Sequence, residues 1–147
     1  MSVAPVIRVG IVDDSLRDRS HILELLHRFK EEQGVTFQIR QFDDGAAVLE
    51  NYQPDFDILF LDIKMEGIDG MKAATAIRRV DTAVALVFVT NTAQYATTGY
   101  SVAAQSYLLK PVSYFAFRTE MQRFLDRHKQ TERSSILVGS GTALRRV

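Results

Sequence analysis

Ile58-Leu59-Phe60-Leu61-Asp62 is four apolar residues in a row ended by an acid. A short, continuously apolar run of this kind fits a strand covered on both faces, as in a parallel sheet. Three other runs end the same way. Ile7 to Val12 stops at Asp13-Asp14, Leu86 to Val89 at Thr90, and Tyr107 to Leu109 at Lys110-Pro111. If all four runs are parallel strands, their polar ends share one sheet edge, where open α/β sheets place their ligand sites.

The segments between the runs read as helices. Ser15-Leu16-Arg17-Asp18 is a capping-box pattern, followed by Ile22, Leu23, Leu26 and Phe29 at helical spacing and a stop at Gly34. Val35 to Phe42 alternates like a half-exposed strand. Asp43-Asp44-Gly45 opens a short helix with Ala46, Val48 and Leu49, closed before Pro54. Lys64 to Gly70 is a loop, Met71 to Val80 a helix with Met71, Ala74 and Ile77 inward, and Val84 to Val89 a buried strand. Thr92 to Tyr100 is a weaker helix, rich in Thr and Ala. Gln105 to Leu109 is a strand, and Ser113 caps a last helix with Phe117, Met121, Phe124 and Leu125 on one face. Five strands alternating with five helices, joined by right-handed crossovers, predict a doubly wound five-stranded parallel sheet.

The tail departs from this rhythm. His128 to Ser135 is charged and polar, as a linker is, and Ile136-Leu137-Val138, Gly139-Ser140-Gly141 and Thr142 to Val147 read as a β-hairpin. A hairpin alone is marginal in water, so the expectation is a domain at 1–128, a linker at 129–135 and the opening of a second, truncated domain at 136–147.

Composition narrows the function classes. The chain has 147 residues, 46% hydrophobic, enough for one domain with a full core. Its formal net charge is zero, which gives no overall attraction to nucleic acid or anionic membrane. It has no cysteine, which excludes disulfides and thiolate metal sites. No signal peptide is visible, and no apolar run approaches the ~20 residues of a membrane helix. A soluble, cytoplasmic protein is expected.

Each strand-end residue has a bland reading beside its chemical one. Adjacent acids such as Asp13 and Asp14 are commonly turn or helix-start residues. Ser15 already supplies the cap, however, which leaves two carboxylates suited to a hard, oxygen-preferring ion. Asp62 adds a third, and three acids on one edge repel unless a cation sits among them. Asp55 and Asp57 flank the opposite end of their strand. Thr90 is either an ordinary strand residue or a hydroxyl facing a phosphoryl oxygen, and Lys110 either a surface lysine or a counter-charge beside Pro111, whose preceding bond has access to the cis form. The histidines, His21, His27 and His128, form no metal-ligand pattern, and Arg78-Arg79 read as a solvated helix end.

Taken in order and at these spacings, Asp13-Asp14, Asp62, Thr90 and Lys110-Pro111 resemble the receiver domain of two-component response regulators, over roughly Ile7 to Arg127. The resemblance implies a flavodoxin-like fold, Asp62 as phosphoacceptor for a sensor histidine kinase, and Mg²⁺ held by Asp13, Asp14, Asp62 and the Lys64 backbone carbonyl. It further implies that Thr90 and Lys110 bind the phosphoryl group and that Thr90 and Tyr107 act as the switch, the rival role for Tyr107 being a plain core tyrosine. Tyr95 and Tyr100 on the weak helix stay equally open. An output face at 92–127, able to form a homodimer, and a signalling rather than an enzymatic role go with it. Two positions depart from the family pattern: Glu66, where proline is usual, and Asn91, bulkier than the residue often found there.

Phe88-Val89-Thr90-Asn91-Thr92-Ala93-Gln94-Tyr95-Ala96 and Ser106-Tyr107-Leu108-Leu109-Lys110-Pro111-Val112 are similar to receivers joined to LytTR-type DNA-binding domains. The tail resembles the first strands of such a domain, which implies transcription control through a DNA-binding half mostly absent here. The alternative is a single-domain receiver acting as a phosphorylation-dependent protein-interaction switch. A small phosphatase acting on external substrates is disfavoured by the lack of a cap domain or substrate-selecting insert.

Overall fold

The computed structural model describes residues 6–91 and 102–141, with 131–141 described by backbone alone. In chain order the elements are β1 (Val6–Val12), α1 (Leu16–Gln33), β2 (Thr36–Phe42), α2 (Gly45–Leu49), β3 (Ile58–Leu61), α3 (Gly70–Val80), β4 (Ala85–Thr90), β5 (Ser106–Leu109) and α4 (Tyr114–Gly141). The sheet order is β2-β1-β3-β4-β5. Every pairing is parallel. The predicted helix at 92–100, with Tyr95 and Tyr100, lies outside the described residues.

Strand composition sets the layers. β3 is buried at all four positions, and β4 at all but its first. By pleat alternation Leu59, Leu61, Leu86 and Phe88 share one face, where they form a core with Val48 of α2 and Ala73, Ala74 and Ile77 of α3. Ile7, Val9 and Ile11 alternate onto the other face and are buried. α1 buries Ile22, Leu25, Leu26 and Phe29. Leu25, not the expected Leu23, completes that stripe, since i, i+3 and i+4 spacing from Ile22 passes through 25 and 26. β2 is an edge strand, half-buried or exposed at every position.

The helix ends follow their local chemistry. Ser15 caps α1 by accepting from the Asp18 amide at 3.2 Å, and Gly34 closes it in the left-handed conformation at φ 72°. Asp44 and Asp69 cap α2 and α3 through the amides of Ala47 and Lys72.

Two compact units result, residues 1–114 and 115–147. The second is built on α4, whose Phe117, Met121, Phe124 and Leu125 are buried at helical spacing as expected. The helix runs on to Gly141, so the linker at 129–135 and the first hairpin strand, Ile136–Val138, are helical instead. Between Lys129 and Val138 there is no glycine or proline, and Lys, Gln, Glu and Arg favour continuation. Thr142 to Val147 lie outside the described residues.

Arg78 also departs from expectation. Its guanidinium is no solvated helix end but donates to the carbonyls of Val102, Ala103 and Asp81. It thereby ties the C-terminus of α3 to the segment before β5.

Candidate functional site

The topology reverses between β1 and β3: from β1 the chain moves outward to β2, then returns to place β3 on the other side. Such a reversal opens a crevice at the carboxyl ends of the strands. Asp13 and Asp14 follow β1, Asp62 follows β3, Thr90 ends β4 and Lys110 follows β5. All four strand ends therefore meet at one edge, as their sequence pattern predicts.

Backbone bonds extend the ladder just past the strands and fix where the acids start. The Asp13 amide donates to Phe42 O at 3.1 Å, the Asp62 amide to Val12 O at 2.9 Å and the Lys110 amide to Thr90 O at 2.8 Å. Carboxylate oxygens of Asp13, Asp14 and Asp62 all lie within 4.8 Å of one another. Asp13 and Asp62 are buried, 4% and 7% exposed, while Asp14 is open to solvent. Lys64 stands in the loop beyond Asp62 and lines one cleft with Asp14, Ile63, Met65, Glu66 and Asp69. The Lys110–Pro111 bond is cis.

The Lys110 ammonium reaches the cluster from β5. Its Nζ lies 3.0 Å from Asp13 Oδ2, 3.3 Å from Asp62 Oδ2 and 2.7 Å from Asp18 Oδ2. Burial pushes its pKa down, but the bonds to Asp18 and Asp13 and the Asp13 and Asp62 charges outweigh that and hold it above the ordinary lysine value. Burial pushes the Asp62 carboxyl up, the Asp13 charge adds to this, and Lys110 offsets only part, leaving it at about 6. Three hard oxygen donors, one of them from a carboxyl raised this way, fit a small divalent cation such as Mg²⁺.

Two further residues shape the site without a local sequence signal. Arg19 donates from Nη1 to the Asp13 carbonyl at 2.6 Å and from Nε to Gln41 at 3.2 Å, bracing the β1 turn against β2. Gly70 lets α3 approach the chain after β3, where its amide donates to Ile63 O at 2.8 Å. A Cβ at Gly70 would collide with the carbonyl of Asp62. Both contacts join distant segments, so no local pattern announces them.

Thr90 is buried, and Tyr107 is half-buried with its ring 5.2 Å from that of Phe88. Asp57 is engaged at the opposite sheet edge, forked with Arg8 at 3.1 and 3.2 Å. His21 Nε2 donates to the Val112 carbonyl at 2.8 Å, a tether of α1 to the β5–α4 connection.

A model of the response regulator receiver domain matches residues 9–122. The sensory transduction protein LytT of Bacillus subtilis is 28% identical over 131 residues, covering 89% of this chain and 52% of that protein. The positive alginate biosynthesis regulatory protein of Pseudomonas aeruginosa is 28% identical over 104 residues, 71% of this chain and 41% of that one. The chain thus spans about half the length of the curated relatives it matches. Among solved structures, the response regulatory domain of mrkE from Klebsiella pneumoniae superposes with a TM-score of 0.73 at 25% identity, covering 84% of this chain and 99% of that one. The fold is shared with the Vibrio cholerae chemotaxis protein CheY4, at a TM-score of 0.66 and 22% identity over 81% of this chain and 98% of that one. With its matched residues spanning the sheet and every strand-end acid, the chain belongs to the response regulator receiver domain family.

Proposed function

We propose that Asp62 is the phosphoacceptor of a two-component response regulator and that its phosphorylation state is the signal. The observation that supports this most is the convergence of Asp13, Asp14 and Asp62 at one sheet edge, facing the Lys110 ammonium. An Asp62 carboxylate oxygen attacks the phosphorus of a phosphohistidine on a sensor kinase. The new O–P bond forms as the P–N bond breaks, and the electron pair stays on the imidazole, which takes up a proton. Lys110 and the Thr90 hydroxyl donate to the transferred oxygens. Asp13, Asp14, Asp62 and the Lys64 carbonyl would hold Mg²⁺, which when bound supplies charge that favours ionised Asp62 and neutralises the phosphoryl oxygens. Water later attacks the phosphorus, inorganic phosphate leaves and the carboxylate is restored.

The chemistry is confined to the protein's own aspartate, so the role is a signalling receiver and not an enzyme acting on other substrates. In this reading Thr90 and Tyr107 carry the change outward, and the output segment 92–127 is the part of the chain through which a homodimer could form. We place the receiver at 1–128, with 129–135 as a helical connector. The resemblance to receivers joined to LytTR-type domains extends this reading to a whole protein that is a cytoplasmic transcription regulator with a DNA-binding output. No helix among the described residues is long and apolar enough to cross a membrane.

Acetyl phosphate with Mg²⁺ provides the test. Intact-mass measurement should show one added phosphoryl group on the wild type and none on Asp62→Ala. Equal labelling of the two would refute the assignment.

A further inference from the structure

Asp18 stands in the first turn of α1, three residues after the cap Ser15. In a capping box a residue at that place turns its side chain back to the cap's own amide. Here the Ser15 amide donates to Asp13 Oδ1 at 2.9 Å. The Asp18 carboxylate points elsewhere and accepts from Lys110 Nζ at 2.7 Å, the shortest of that ammonium's three carboxylate contacts. The contact borders a cavity of about 480 Å³ lined by Arg17, Asp18, His21, Lys110 and Val112 among others. Arg17 is the other cation near Asp18, at 3.9 Å and almost fully exposed.

We infer that Asp18 is a positioning residue that holds the Lys110 ammonium back toward α1 and limits its grip on a phosphoryl group carried by Asp62. This rests on the reading of Asp62 as the phosphoacceptor. Lys110 has three N–H donors and, before phosphorylation, three carboxylates to share them. A phosphoryl group on Asp62 brings further oxygens that need the same donors. The donor committed to Asp18 is the best engaged, in a partly buried geometry where charge-assisted bonds are strong. Asp18 also adds an anion close to the incoming anion, which opposes it. Both effects act in one direction: they weaken the phosphorylated state relative to the resting one.

The test titrates the full chain, in Mg²⁺, with beryllofluoride, a non-hydrolysable stand-in for the phosphoryl group, by calorimetry. Asp18→Asn should bind it about tenfold tighter, the scale of one charge-assisted hydrogen bond. The same variant should unfold at a lower temperature without metal, because Lys110 loses a partner. A residue that only stabilised the fold would not give those opposite signs. Asp18→Ala should move affinity the same way, and Asp18→Glu, which keeps the charge, should fall between Asn and wild type. If wild type binds beryllofluoride but both neutral variants bind equally or more weakly, the role of Asp18 is overturned while the phosphoacceptor stands. If wild type does not bind it, the phosphoacceptor reading falls, and this inference with it.

Discussion

Asp62 sits where its own charge is unwelcome. Burial and the neighbouring Asp13 raise its carboxyl to about 6, so at neutral pH the metal-free fold carries an anion it would hold more easily as the acid. Asp62→Asn removes that charge while keeping size and shape. In EDTA at pH 7.5 the variant should therefore be more stable than wild type by about 1–2 kcal/mol, measured by urea denaturation. A destabilised variant would mean that the Lys110 contact outweighs the burial. The acids, Thr90 and Lys110 were legible in the sequence because each directly follows an apolar run, so one strand assignment places them all. Asp18 was legible only as a capping residue. Its partner Lys110 lies 92 residues away, and nothing in Ser-Leu-Arg-Asp distinguishes a side chain turned to its cap from one turned across the crevice.

Elements were readable where local chemistry decides them and misread where it does not. The strands follow from apolar runs and the starts of α1 and α2 from Ser15 and Asp43-Asp44, while the Asp69 cap of α3 lies in a stretch that reads as loop. Three β-branched or apolar residues before Gly-Ser-Gly, Ile136–Val138, read locally as a strand. The helix-favouring stretch before them carries α4 through that point instead. Arg78 reads as a solvated helix end because its acceptors are the carbonyls of Val102 and Ala103, which composition cannot reveal. Gly70 has a sharper consequence. At an exposed helical position Gly→Ala stabilises by up to ~1 kcal/mol. Here the added Cβ meets the backbone of Asp62 and Ile63, which cannot move aside as a flexible side chain would. Gly70→Ala should instead destabilise by about 2–3 kcal/mol in thermal or chemical unfolding, and it should slow acetyl phosphate labelling by displacing Asp62. A stability gain would show that α3 can shift without disturbing the site.

Across the whole molecule, the chemical site and the stability of the fold are coupled through one edge of the sheet. Because the carboxyl of Asp62 is raised in the fold, the native state binds more protons than the unfolded chain between about pH 4 and 6. Its contribution is fully present below the unfolded value of 3.8 and is lost as pH rises through about 6. Metal-free protein should therefore lose about 2 kcal/mol from this group over that window. A divalent cation among Asp13, Asp14 and Asp62 acts in the opposite sense, since it favours the ionised carboxylate. At a concentration 100 times its Kd it would add about 2.7 kcal/mol to stability. The rise in unfolding midpoint on adding Mg²⁺ should accordingly be larger at pH 7.5, where Asp62 is ionised, than at pH 5, where most of it is protonated. Paired thermal scans at the two pH values, with Mg²⁺ and with EDTA, measure this directly. A shift that is absent at both, or larger at pH 5, would mean that the three carboxylates do not form the cation site.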